Sequence, residues 1–318
     1  MNLKSRHLLL NECKQVIDEL SKKLINSNLR EVLKQLLENL PNVEKDEHII
    51  IDGVEKDYKL DLYIYRPKNI QNTKTPVIYY MHGGGYIIGN ATMYGTTFNY
   101  LANKHNATLI SIEYRLSTKA PYPADLNDAY SGLKYIYHNA DKLNIDKNNI
   151  IIMGESAGGG LTARLGLYNK DHDKIPIKGQ VLIYPMLDYR TGGNNDIYKN
   201  EYAGEYIWTK ELNQIGWTSL KKDQIIPEKE MLYYSPAMAS VEELKGLPDT
   251  FVIVGGLDLF VNECFDYANK LIQAGIPTEF FCEPGVVHAY DLLLNKSPQA
   301  ARFIELRDNA VEKMFNKK

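Results

Sequence analysis

Gly154-Glu155-Ser156-Ala157-Gly158 is a G-x-S-x-G pattern set between an apolar run at residues 150–153 and a helical pattern that begins at Ala157. A serine hydroxyl is a weak nucleophile until a base takes its proton, and a tight strand-to-helix turn lets its oxygen stand clear of the sheet. Such a turn needs small residues, because bulk at either glycine would clash with neighbouring chain. The start of the helix also brings free N–H groups and a dipole to negative charge near Ser156. Upstream, His82-Gly83-Gly84-Gly85-Tyr86 follows another apolar run, residues 76–81. Consecutive glycines let backbone N–H groups face a site with no side chain in the way, which an acyl-transfer centre needs to hold a tetrahedral oxyanion. Gly83, Gly84 and Ala157 are the expected donors. A flexible turn or a phosphate loop is the bland alternative, but the Gly-Lys-Ser/Thr of one phosphate loop and the G-x-G-x-x-G of another are both absent.

A nucleophile of this kind needs a base and an acid further along the chain, in the order serine, acid, histidine. Of the seven histidines only His172 and His288 follow Ser156. His172 sits in a run of charged residues close behind the nucleophile helix, whereas His288 follows the last apolar run and a Glu283-Pro284-Gly285 turn. His288 is therefore the expected base, and His82 a hydrogen-bonding strut for the glycine loop. Asp258 comes just after an apolar run and Gly255-Gly256, and is the preferred acid. Asp188 is the runner-up, and Glu263 falls at a helix start, where a carboxylate is commonly a dipole partner. In this reading Asp258 orients His288, and His288 takes the proton of Ser156 as it attacks a carbonyl. Tyr86, Leu187, Trp208, Phe260 and Tyr290 adjoin these blocks or lie in a covering segment and are candidates for the substrate pocket, with plain core packing as the alternative for each.

The elements that must carry these residues can be read from periodicity. Residues 8–40 place Leu, Ile and Val three and four apart, which predicts amphipathic helices broken near residues 26–28 and stopped by Pro41. Residues 48–65 read as a strand hairpin turning at Asp52-Gly53. Short apolar runs follow at 76–81, 108–113, 149–153, 179–184, 250–254 and 278–282, most of them separated by helical patterns such as 124–138, 157–169 and 263–274. That alternation predicts an α/β fold with a mostly parallel, mixed sheet covered by helices on both faces. Residues 188–232 hold no clear strand and are too long for an idle connection, so they are expected to form an inserted, helical cap segment together with residues 1–45. Residues 46–318 then form the catalytic domain.

Composition narrows the rest. The 318 residues carry 37 Lys and Arg against 40 Asp and Glu, a net charge of −3 with both signs mixed. Such a balance offers no footprint for nucleic acid or an anionic membrane surface. No apolar run is long enough for a membrane span or a signal-peptide core, so a soluble, cytoplasmic protein is expected. The three cysteines, Cys13, Cys264 and Cys282, have no CxxC spacing and read as reduced thiols, and no Cys/His pair has zinc-ligand spacing. No metal or other cofactor is expected.

With these residues in hand, the chain resembles the hormone-sensitive-lipase-like esterases, the bacterial acetyl esterase and carboxylesterase branch of the α/β-hydrolases, from about Lys59 to the C-terminal helix. His82–Tyr86 resembles that family's oxyanion motif, and the GESAGG block from Gly154 its nucleophile elbow. Glu113-Tyr114-Arg115-Leu116, with Pro121-Tyr122-Pro123-Ala124 and Asp128, is similar to a further family segment. Asp258-Leu259-Phe260 and Pro284-Gly285…His288 match the acid and histidine blocks. Ser117-Thr118-Lys119, Asn262 and Ala289-Tyr290 depart from the family pattern without removing a catalytic group. The resemblance implies a serine carboxylesterase acting on a small-molecule ester with a short acyl chain, with an N-terminal cap and no cofactor. An amidase or peptidase could use the same three residues, but peptidases of this fold usually carry a large extra domain for which this chain has no room. A non-catalytic binding protein on the same fold, as in the plant gibberellin receptors that resemble the family, lacks the working histidine that is present here. Whether a homodimer forms, through an edge strand or the cap, stays open.

Overall fold

The computed structural model describes residues 3–23, 29–40, 43–55, 57–69 and 73–317. Eight strands form one sheet in the order β1-β2-β4-β3-β5-β6-β7-β8: β1 Glu47–Asp52, β2 Lys59–Tyr65, β3 Thr75–Met81, β4 Thr108–Ile112, β5 Ile145–Glu155, β6 Gly179–Ile183, β7 Asp249–Gly255 and β8 Thr278–Glu283. β1 and β2 are the expected hairpin, closed by the Gly53 N–H on the Tyr58 carbonyl at 2.8 Å, and β2 also runs antiparallel to β4. All other pairs are parallel.

The physical cause is visible in the strands. β4 and β6 are buried at every residue, so both sheet faces need cover, and only crossover helices supply it between parallel strands. β2 alternates buried with half-buried residues, as a strand near an edge does. Boundaries read from apolar runs fall within a residue or two of the observed ones except at β5, which begins at Ile145 instead of 149. After Ile145 come Asp146, Lys147 and Asn148, which are polar and sit where the register with β3 shifts, so hydrophobicity gave no sign of them. Helix Ala124–His138 has the expected ends, and Ala157–Asp171 and Val261–Gln273 differ from theirs by two residues at most.

Residues 188–232 contain no strand. Their main element is helix Lys210–Lys221, started by the Thr209 hydroxyl accepting from the Leu212 N–H. At the N-terminus the chain forms helices Asn11–Lys23 and Leu29–Glu38, while the break expected near residues 26–28 and the stop at Pro41 fall outside the described residues. The N-terminal segment is tied to two other parts of the chain. The Leu10 N–H donates to the Gly285 carbonyl at 3.0 Å, and the Ser5 N–H donates to Glu205 at 2.8 Å. Among the described residues no helix is long and apolar enough to cross a membrane.

Register brings one edge of the sheet into focus. Met81 of β3 pairs with Gly154 of β5, Glu155 with Ile183 of β6, and Gly255 of β7 with Glu283 of β8. The C-terminal ends of the parallel strands therefore line up along one edge, where the loops of an open α/β sheet form a crevice.

Candidate active site

β5 ends at Glu155, helix Ala157–Asp171 begins two residues later, and Ser156 alone makes the turn. It does so at φ 54° and ψ −121°, a backbone conformation that L-residues rarely hold unless the surroundings enforce it. Three hydrogen bonds enforce it here. The Ser156 N–H donates to the Ile183 carbonyl at 2.9 Å, and the Ser156 carbonyl accepts from Gly160 and Met186, each at 3.0 Å. The flanking glycines are required by space: a Cβ on Gly158 would stand 2.1 Å from the Met81 carbonyl oxygen, and one on Gly154 2.3 Å from that of Gly158. The helix behind is anchored through Arg164. Its guanidinium is fully buried, reaches Asp125 of helix Ala124–His138 at 2.6 Å, and donates from Nε to the Tyr233 carbonyl at 2.6 Å.

Acid and base arrive on the loops after β7 and β8. Those loops are joined by the Gly256 N–H on the Glu283 carbonyl at 2.7 Å and the Leu257 N–H on the Val286 carbonyl at 3.0 Å. The structure brings Ser156, His288 and Asp258 together: His288 Nε2 stands 3.0 Å from Ser156 Oγ, and His288 Nδ1 stands 2.6 Å from Asp258 Oδ2. The other Asp258 oxygen accepts the Phe260 N–H at 3.0 Å, which fixes the carboxylate plane. All three side chains are buried, and the imidazole is enclosed by the rings of Tyr184, Phe260 and Trp208 at 4.7, 5.3 and 6.2 Å.

The competing candidates lie elsewhere. Asp188 is bound by the guanidinium of Arg190 at 2.6 Å. Glu263 is buried and accepts the Leu187 N–H at 2.7 Å and the Thr191 hydroxyl, so it braces the chain after β6. His172 caps the end of the nucleophile helix, stacked on Tyr168 at 3.8 Å. His82 is buried, stacks on Tyr114 at 4.3 Å and holds the Gly83 carbonyl through Nδ1 at 2.8 Å. Burial lowers its pKa to about 4, against the weaker effect of that hydrogen bond.

Each glycine of the loop has its own reason. Gly83 passes so close to the nucleophile that a Cβ would meet the Ser156 Cβ at 3.4 Å. Gly84 turns at φ +119°, and a Cβ on Gly85 would collide with the Trp208 ring at 2.1 Å. Among the described residues no acceptor takes the N–H of Gly83, Gly84 or Ala157. Gly83 and Gly84 line a cavity of about 140 Å³ together with Ser156 and His288. Its remaining wall is largely apolar: Leu33, Leu37 and Leu40 from the N-terminal segment, Ile88, Ile207, Trp208, and Ala289, Leu292 and Leu293 behind the histidine.

Of the five pocket candidates only Trp208 lines this cavity. The other four need correction. Tyr86 is turned under the nucleophile helix, 5.7 Å from Trp217 and 5.6 Å from the Arg164 guanidinium. Leu187 lies in the core at the chain braced by Glu263, Phe260 packs its ring on His288, and Tyr290 packs on Phe303 at 5.8 Å. Standing next to a catalytic residue in sequence does not decide on which side of a turn a side chain falls. Leu33, Leu37 and Leu40 were missed as wall residues because their helical spacing marks an apolar face without saying what it covers, and the helix Tyr290–Leu293 because four residues show no period.

Glu155 was also passed over. It is buried beside the nucleophile, and burial, followed by the nearby Asp291 carboxyl, pushes its pKa up to about 8. Asp291 is raised too, again by burial first. Among the described residues no group of three or more His, Cys, Asp or Glu is placed to hold a metal ion.

Comparison with known proteins bears on the family and the fold. A family described as having the alpha/beta hydrolase fold matches residues 78–292. An arylesterase of Saccharolobus solfataricus is 30% identical over 237 residues, covering 74% of each chain. A carboxylesterase of Mycobacterium tuberculosis is 28% identical over 262 residues, 81% of this chain and 79% of the relative. The solved structure of a bacterial heroin esterase superposes with a TM-score of 0.85 at 25% identity, over 98% of this chain and 99% of the other. The match spans strands β3 to β8 and every residue of the serine, acid and histidine blocks, and the chain therefore belongs to the α/β-hydrolase fold family, in its hormone-sensitive-lipase-like branch.

Proposed function

We propose that this chain is a serine carboxylesterase that hydrolyses small esters of short acyl chains through an acyl-enzyme. The observation that carries the reading is the unbroken relay from Asp258 through His288 to Ser156 Oγ, opening into a small apolar cavity. Relatives named as esterases support the class of reaction.

The geometry gives each group a role. Asp258 holds the imidazole with Nε2 toward the serine and stabilises the imidazolium that forms. His288 takes the hydroxyl proton as Ser156 Oγ attacks the ester carbonyl. The N–H groups of Gly83, Gly84 and Ala157 receive the developing oxyanion. His288 then gives its proton to the departing alkoxide, and a water activated by the same nitrogen hydrolyses the acyl-serine. We assign the cover of this site to the N-terminal helices and residues 188–232, since Leu33, Leu37, Leu40, Ile207 and Trp208 come from them.

Size argues for short acyl groups. An apolar cavity of about 150 Å³ takes a ring the size of benzene, and this one measures about 140 Å³. The test is a series of p-nitrophenyl esters from acetate to laurate. The expected kcat/KM is highest between acetate and butyrate and falls with each longer chain. A value rising toward laurate would refute the short-chain reading while leaving the chemistry intact.

A further inference from the structure

Beyond Glu155 lies a second cavity of about 320 Å³, and Leu40, Tyr94, Glu155 and Leu292 line both it and the cavity over Ser156. The two spaces therefore adjoin at the nucleophile elbow. The second adds charged groups that the first lacks: Asp291 and Arg307 face it with Glu155, together with Tyr80, Tyr94 and Tyr100.

Its polar groups are unevenly partnered. Arg307 is committed to Asp308, donating from Nε and Nη2 to Oδ1 at 3.0 and 2.9 Å. Asp308 thus holds the one Lys or Arg among the described lining residues, and neither Glu155 nor Asp291 has a hydrogen bond from it. Two buried carboxyls remain without a Lys or Arg partner among the described residues. Asp291 accepts the Tyr184 hydroxyl at 3.0 Å, while the Glu155 carboxyl, 5% exposed, lies beside the Tyr80 and Tyr94 hydroxyls yet keeps Oε1 without a hydrogen-bond partner among the described residues. A buried, unpartnered carboxyl oxygen is costly unless something completes it. An anionic ligand would meet two carboxyls there, and a purely apolar chain would leave Glu155 as it is. A cation would satisfy both carboxyls and could rest against the rings of Tyr80 and Tyr94.

We propose that the second cavity is a substrate subsite for a cationic amine carried on the acyl chain, bound by Glu155 and Asp291 while Ser156 faces the ester carbonyl. This rests on the esterase reading above and names the substrate class that reading leaves open. It also gives the chain-length limit a second cause, since an apolar chain longer than the first cavity would run into unpaired carboxyls.

A matched pair of substrates tests it: the p-nitrophenyl ester of γ-(trimethylammonio)butyric acid, and its uncharged isostere with a tert-butyl group in place of trimethylammonium. The quaternary charge is the same at every pH and cannot attack its own ester. The wild-type enzyme should favour the cationic ester in kcat/KM by about tenfold, the scale of one desolvated cation contact. Glu155→Gln and Asp291→Asn should each bring the ratio of the two esters toward one, through KM for the cationic member. Because the ratio is taken within each variant, a general loss of activity cancels. Equal or better use of the uncharged ester by the wild type overturns the subsite and leaves the esterase standing. A ratio unmoved in both folded variants overturns the assignment to these carboxyls. Failure to hydrolyse either ester or p-nitrophenyl acetate overturns the esterase reading itself.

Discussion

At the scale of residues, the site depends on atoms with little freedom to move. Asp258 contributes a negative charge and a fixed direction, and Asp258→Asn keeps the shape while favouring the wrong imidazole tautomer. The expected result is a kcat lower by about 10³ to 10⁴ with KM nearly unchanged, read from p-nitrophenyl acetate kinetics. A change below tenfold would mean that the carboxylate is not needed to orient His288. The glycines fail in another way. Gly158→Ala places a methyl group 2.1 Å from the Met81 carbonyl oxygen, and β3 and the nucleophile helix must separate to admit it. Residues of this kind were legible in the sequence, because strain and backbone crowding restrict residue type so tightly that GESAG and HGGG announce themselves. Tyr184 and Asp291 carry no such mark. Their importance comes from distant chain folding back, as the 3.0 Å contact from the Tyr184 hydroxyl to Asp291 shows.

At the scale of elements, strands and helices hold those residues in register, and two buried groups report on how firmly. Arg164 and Asp125 lock the nucleophile helix to its neighbour with both side chains at most 1% exposed. Asp125→Ala leaves a buried guanidinium without its counter-charge, and urea unfolding should show a loss of about 3–5 kcal/mol. Replacing the pair by Arg164→Met with Asp125→Leu should recover most of it. His82 gives a pH signature. The unfolded chain takes up a proton at His82 near its ordinary 6.5, and the folded protein not until about 4. Stability is therefore lost as pH falls across that window. Thermal melts should show His82→Gln losing less than the wild type between pH 6.5 and 4, and parallel curves would contradict the buried, neutral imidazole. Elements were the most readable level of this chain. Six apolar runs gave six of the eight strands, most plainly β4 and β6, which are buried at every residue and so must be apolar nearly throughout. The early start of β5 was hidden because polar Asp146, Lys147 and Asn148 separate Ile145 from the apolar run.

At the scale of the whole molecule, one sheet edge gathers Ser156, Asp258 and His288, and segments far apart in sequence line the cavity there. The N-terminal segment contributes Leu33, Leu37 and Leu40 to the cavity wall, and Ser5 is held by Glu205 of the distant insertion. Leu37→Asp should raise KM for p-nitrophenyl butyrate severalfold and change kcat little, because the leucine touches bound substrate and no catalytic group. An equal fall in kcat with unchanged KM would remove that helix from the binding wall. The length of residues 188–232 led to the expectation of a cover, which we propose they form with the N-terminal helices, but did not say which leucines line the cavity. The spacing of Leu33, Leu37 and Leu40 marks an apolar face, but not what that face packs against.

The central claim is that Ser156, driven by His288 and Asp258, becomes acylated during turnover. The most direct measurement mixes the protein with p-nitrophenyl acetate, quenches in acid within the first turnover and locates the acetyl group by peptide mass spectrometry. The expected result is acetyl on Ser156, formed together with a burst of p-nitrophenol and absent from Ser156→Ala. Steady hydrolysis with no acyl group on Ser156, or with equal activity in Ser156→Ala, would contradict the account.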